Sequence, residues 1–190
     1  ADLSEIVGRS VTWAATNGNL SGTQSTVQAA GTATGSFQAT AAGTAVISAK
    51  VDNDNTAPAS SNVLSLTVNK ANTTAAITNG ASLSSVASVT GQPVTVTYSV
   101  TGAFGNSPTA PTGNVTVSDG ADSCTATVAA GQCDVTFRTA GSKTITATYA
   151  GDTNFNASPA SASASHTVNK ADTTTTITSD SPDPSVTGQT

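Results

Sequence analysis

The residues of this 190-residue chain best placed for covalent chemistry are its two cysteines, Cys124 and Cys133. Strand alternation puts Cys124 on the face of Val128, and Cys133 on the face of Val135 and Phe137, so both point inward if their strands are regular. A tight turn at Ala129-Ala130-Gly131 would set Cys133 opposite Val128 and leave Cys124 too distant, because a disulfide needs Cα atoms within about 7 Å. We expect the disulfide, with Cys124 leaving the regular ladder or the turn shifting; two buried free thiols are the alternative. His166 is the one histidine. Any Ser/His/Asp or Cys/His arrangement must be built on it, and its place in a strand run makes a structural role the expectation. Asp52 and Asp54, in Asp52-Asn53-Asp54-Asn55, offer oxygens to calcium. They lack the Gly and the distal Glu of an EF-hand loop, and Asx residues also populate turns for their own hydrogen bonds. No C-x-x-C, G-x-G-x-x-G or P-loop spacing occurs, so the sequence calls for no cofactor, no metal and no enzymatic reaction.

Composition narrows what must hold these residues. Aromatics are 4% and charged residues 9%, Met is absent, and Ala, Val and Thr supply the apolar surface. Such a chain favours sheets, since no helix here can lace itself with ion pairs. A net charge of -5 opposes binding to a phosphate backbone, so nucleic acid is not an expected partner. No apolar run reaches the ~18 residues of a membrane span. Two cysteines in a Ser/Thr-rich chain fit an oxidising compartment.

The elements follow from a repeat. Val68-Asn69-Lys70-Ala71-Asn72-Thr73-Thr74 returns 100 residues later as Val168-Asn169-Lys170-Ala171-Asp172-Thr173-Thr174. That period is the size of one β-sandwich. It divides the chain into a first unit, 1–70, that lacks its first strands, a complete second unit, 71–170, and the opening strand of a third in 171–190. In the first unit strands are expected at Val11 to Ala15, with Trp13 as a core plug, and at Thr26 to Ala29, Thr34 to Thr40, Thr44 to Val51 and Val63 to Val68. Ala45, Ile47, Ala49 and Val51 share one face. In the second, Thr73 to Thr78 and Ser85 to Val89 form a split first strand, followed by the alternating run Val94, Val96, Tyr98, Val100. Strands follow at Asn114 to Ser118, Cys124 to Val128, Cys133 to Arg138, Lys143 to Tyr149 and His166 to Asn169. Phe155, in the loop Gly151-Asp152-Thr153-Asn154-Phe155, is expected to fold back over the sandwich end. Ser161 to Ser165 reads as a flexible approach to the last strand.

In the second unit, Thr90-Gly91-Gln92-Pro93-Val94, Pro111-Thr112-Gly113-Asn114-Val115-Thr116-Val117, Asp119-Gly120, Thr144-Ile145-Thr146-Ala147-Thr148-Tyr149-Ala150-Gly151-Asp152 and Asn154-Phe155 follow one another in order. With that set the unit resembles the bacterial Ig-like repeat domains of large secreted and surface proteins. The first unit, through Val11 to Trp13 and Gly43 to Val51, is similar to the Ig-like repeats of intimin and invasin type adhesins. The resemblance implies an all-β fold of tandem immunoglobulin-like sandwiches with Greek-key antiparallel sheets. It also implies a secreted or cell-surface spacer, stalk or filament body whose partners are neighbouring repeats or identical subunits. Two other functions are weighed: glycan or receptor binding through the loop tips Gly102 to Pro111 and Asp152 to Phe155, and polymerisation by strand complementation through Thr173 to Thr178. Lys50, Lys70, Lys143 and Lys170 raise the question of isopeptide bonds, which similar surface domains sometimes use; ordinary surface lysines are the expectation.

Overall fold

The computed structural model describes residues 8–51, 61–103, 109–179, 184 and 186–188, and only the backbone of 61 and 62. Asp52, Asp54 and Phe104 lie outside the described residues. Among the described residues the regular elements are strands except for one short helix and one 3-10 turn, as small β-branched residues in alternation dictate.

The first unit contributes β1 (Val11–Ala15), β2 (Gly18–Ser21), β3 (Ser36–Ala39), β4 (Gly43–Val51) and β5 (Ser61–Val68). They form an antiparallel sheet in the order β1-β4-β5 and a separate β2-β3 pair. Trp13 is half-buried and its indole N–H donates to the Gln24 carbonyl at 3.0 Å. The strand expected at Thr26 to Ala29 is absent. Val27 is buried and exchanges backbone bonds with Gly8 and Arg9, but the chain turns at once, with Gln28 and Thr32 closing on each other. A ladder that short is a bridge, not a strand. Leu64 and Leu66 of β5 remain 60% and 41% exposed, because among the described residues no second layer covers this strand.

The second unit is a closed sandwich. Its strands are β6 (Thr73–Ile77), β7 (Ser88–Val89), β8 (Pro93–Gly102), β9 (Asn114–Ser118), β10 (Ser123–Thr127), β11 (Gln132–Thr136), β12 (Gly141–Tyr149) and β13 (Ala164–Asn169). One sheet runs β10-β9-β12-β13-β7 and the other β11-β8-β6. Alternate residues fill the space between them. Val94, Val96, Tyr98, Val135 and Phe137 on one side meet Val115, Val117, Ile145, Ala147 and Tyr149 on the other in a single cluster. Burying side chains of this kind is worth about 1.5–3 kcal/mol each, the main stabilising term.

Three expectations for this unit are corrected. Ser85 belongs to helix α1 (Gly80–Ser85), not to a strand, and the second half of the split strand shrinks to β7. The helix forms because Leu83 can then be buried against β13, a contact that one turn of helix reaches and an extended chain does not. One strand pair also departs from antiparallel order, since β7 lies parallel to β13 with Val168 opposite Ser88. Finally, Ser161 to Ser165 is not a free approach. Ser158 and Ser161 donate backbone N–H to the Tyr149 and Ala147 carbonyls, and their hydroxyls accept from the N–H groups of the same two residues. Serine side chains thus replace the ladder where the backbone is irregular.

Candidate functional site

The loop after β12 bonds to residues on both sides of Lys70. Gly151 starts it with φ 86, and a Cβ there would stand 2.9 Å from Ala157 N, so only glycine lets the chain turn back so tightly. Asp152 then organises the turn. One carboxylate oxygen accepts the N–H groups of Asn154 and Phe155, each at 2.8 Å, and the other accepts Thr112 N at 2.8 Å and Thr112 Oγ1 at 2.9 Å. Burial acts to raise the Asp152 pKa, but these bonds to the ionised form outweigh it and hold it at about 2. Nearby Tyr149 is buried and its hydroxyl has no hydrogen-bond partner among the described residues. Burial first, and then the adjacent Asp152 charge, push the phenol up to about 12.

The loop so shaped presents donors and acceptors in two directions. Towards the start of its own unit, Asn154 O accepts Ala71 N at 2.9 Å, Asn156 N donates to Ala71 O at 2.8 Å, and Thr73 Oγ1 donates to Asn156 O at 2.8 Å. Towards the first unit, Lys70 Nζ donates to the Asp152 carbonyl at 2.6 Å, Asn154 Oδ1 accepts Ala42 N at 3.0 Å, and Asn156 Nδ2 donates to Lys70 O at 3.4 Å. Phe155, 2% exposed, folds back over the sandwich end as expected and does not project to solvent. The loop tip weighed as a ligand-binding surface is therefore occupied by the chain itself.

The titration of Asp152 sets an acid limit. Its folded pKa lies below the ordinary 3.8, so its stabilisation is complete above about pH 4 and is lost as pH falls towards 2. Because the group is partly exposed, the expected loss is roughly 1 kcal/mol rather than the full shift. Urea denaturation at pH 4.5 and pH 2.5, with Asp152→Asn as the control that removes this titration, measures it.

The remaining chemistry-bearing residues are structural. Cys124 and Cys133 are bonded, with Cα atoms 6.0 Å apart. The hairpin geometry that opposed the bond does not arise. A 3-10 turn at Val128–Ala130 carries the chain from one sheet to the other, so the two cysteines face each other across the sandwich. His166 is 3% exposed; one ring nitrogen lies 2.8 Å from Ser88 Oγ and the other 2.8 Å from the Leu83 carbonyl. This Ser–His pair resembles a nucleophile and its base, but both residues are buried, and the pair pins α1 and β7 to β13. Lys143, also buried, lies 3.3 Å from Asp119 and 5.5 Å above the Phe137 ring, a correction to its expected place at the surface. Burial acts to raise the Asp119 pKa, yet backbone N–H bonds from Asp122 and Ala121 and the Lys143 ammonium together lower it, so Asp119 stays a carboxylate and the pair is an ion pair. Among the described residues no group of three or more His, Cys, Asp and Glu could hold a metal.

Sequence reasoning saw the Gly-Asp-Thr-Asn-Phe loop but missed the roles of Asn154 and Asn156. The signal was the Asp itself, since an Asp in a Gly-Asp-Thr-Asn run can accept the N–H groups two and three residues on and so fix a turn. A family model for the bacterial Ig-like domain (group 3) matches residues 81–169. No curated protein matches the chain. Among the described residues no helix is long and apolar enough to cross a membrane.

Proposed function

We propose that the chain, whose residues 81–169 match the family model for the bacterial Ig-like domain, is a load-bearing spacer of a secreted or surface protein, with a structural and not a catalytic role. Its units run 1–70, 71–170 and onward from 171, and they stack end to end with restricted hinges at Lys70 and Lys170. The observation that carries this reading is the clasp. A sandwich meant to move freely would be joined by a polar linker, whereas here Lys70, Ala42 and Asn154 bond across the seam. Each exposed bond contributes about 0.5–1.5 kcal/mol, enough together to favour the closed seam while leaving it the first place to open. The cross-sheet disulfide fits an oxidising exterior. Small-angle scattering tests the reading. The chain should be elongated with a narrow distance distribution, and Asn154→Ala combined with Lys70→Ala should broaden it; a compact particle, or a double variant identical to the parent, refutes it.

A strand-complemented filament is a second reading, favoured by one observation. Leu64 and Leu66 of β5 stand where Ala164 and His166 stand in β13, one period later. Those two are buried beside α1 and β7, but the leucines are bare. A donated strand would cover them. On this reading sedimentation shows concentration-dependent growth that Leu64→Ser with Leu66→Ser abolishes.

A further inference from the structure

The seam at Lys70 has a second copy of its donor face at the far end of the second unit, and we infer that this face is a socket for the Gly-Asp-Thr-Asn-Phe loop of a further copy of the 71–170 unit. The inference rests on the spacer reading and assigns the residues of its next joint.

On the first unit the donor face consists of Ala42 N, at the turn into β4, and Lys70 Nζ, just past the end of β5. Their spacing is fixed by the pairing of Gly43 with Val68. On the second unit Gly141 pairs with Val168 in the same register. The two glycines share a left-handed backbone, φ 122 and φ 125, so the turns that precede them leave their strands in the same direction. Ala140 N and Lys170 Nζ therefore stand in the relation that Ala42 N and Lys70 Nζ have to each other. Ala140, Asn169 and Lys170 are all exposed, and no hydrogen bond engages Ala140 N among the described residues.

The chain beyond this face is a copy of the stretch that the clasp holds at the first seam. Ala71 to Ile77 is ordered, with Ala71 held on both sides by Asn154 O and Asn156 N before β6 begins. Its copy, Ala171 to Ile177, is exposed and forms no strand. Besides the clasp, the first copy has β8 as its ladder partner, and the second pairs with no described strand. A loop of that kind offers a main-chain carbonyl to an ammonium and an amide oxygen to a backbone N–H, which is what Lys170 and Ala140 can recognise.

The test extends the chain by a second copy of 71–170 placed directly after Lys170, and follows amide hydrogen exchange. Ala42 reports the existing seam and Ala140 the proposed one. In the extended chain Ala140 exchange should slow about 10-fold relative to the parent. Asn→Ala at the added copy's equivalent of Asn154 should restore fast exchange, while Asn→Asp, which keeps an acceptor oxygen, should not. Unchanged Ala140 exchange beside a protected Ala42 overturns the socket and leaves the spacer reading intact. If Ala42 itself exchanges freely in the parent, the seam is open and the spacer reading falls first. Unchanged β12 and β13 protection in every variant certifies that the unit has folded.

Discussion

Asp152→Ala is expected to destabilise the second unit by about 3 kcal/mol, the larger share of it from the loop and not from the charge. The carboxylate accepts four bonds, three of them from backbone N–H groups that have no other acceptor in the turn. Bonds to a charged acceptor contribute about 1.5–3 kcal/mol each, but water can reach a partly exposed loop and recover much of that. The loss then spreads. Phe155 sits in the space that Gly102 leaves open, where a Cβ would lie 2.7 Å from the ring, so releasing the turn also releases this plug and opens the seam. Asp152→Asn separates the contributions. Its remaining oxygen can serve Asn154 and Phe155 while its NH2 meets the Thr112 donors, so about half the loss should persist and the Asp152 share of the acid sensitivity between pH 4 and 2 should vanish, leaving that of Asp119 and Asp122. Urea unfolding together with the scattering profile reads both. An Asp152→Ala protein with a native midpoint and a native distance distribution would show that the carboxylate is not the keystone of the clasp.

Breaking the Cys124–Cys133 bond is the second large effect. The bond closes a loop of nine positions, for which chain entropy predicts about 2.6 kcal/mol. Here it also joins the two sheets at their far edges. β10 has one ladder partner, β9, and β11 has one, β8, so beside the short 3-10 turn that links them the disulfide adds a second covalent tie between two edge strands. Cys124→Ser with Cys133→Ser should lower the urea midpoint accordingly, and exchange should accelerate in β10 and β11 before β12 and β13. Uniform acceleration across the unit, or an unchanged midpoint, would refute the edge-fastening role. Both half-cystines pack against the core, so alanine in place of serine checks that the effect is the lost bond and not a buried hydroxyl.

Much of the architecture was legible before any coordinates. Along β12 the buried positions are Lys143, Ile145, Ala147 and Tyr149, and along β8 they are Val94, Val96 and Tyr98, as alternation requires. Alternation is a local property of an extended chain and survives into the fold because one face of each strand must leave water. What alternation does not carry is the identity of the partner across the gap. The face of Lys143 could be read from its spacing to Ile145, but the Asp119 carboxylate that makes its burial tolerable comes from a turn 24 positions away. Likewise, the alternation that turned Cys124 and Cys133 inward contained no information on which sheet each strand would join.

The sequence by itself therefore determined the period, the all-β character and the inward faces, because each depends on residues that are neighbours along the chain or on near self-repetition. Tertiary structure decided the rest: that Gly80 to Ser85 coils so Leu83 can reach β13, that β7 runs parallel to the last strand, that His166 ties both to it, and that Asp152 shapes a loop which closes on the preceding unit. These depend on which surfaces meet. A hydrogen bond between Lys70 and Asp152 spans 82 positions of chain, and only the closure of a sandwich between them brings the two within reach.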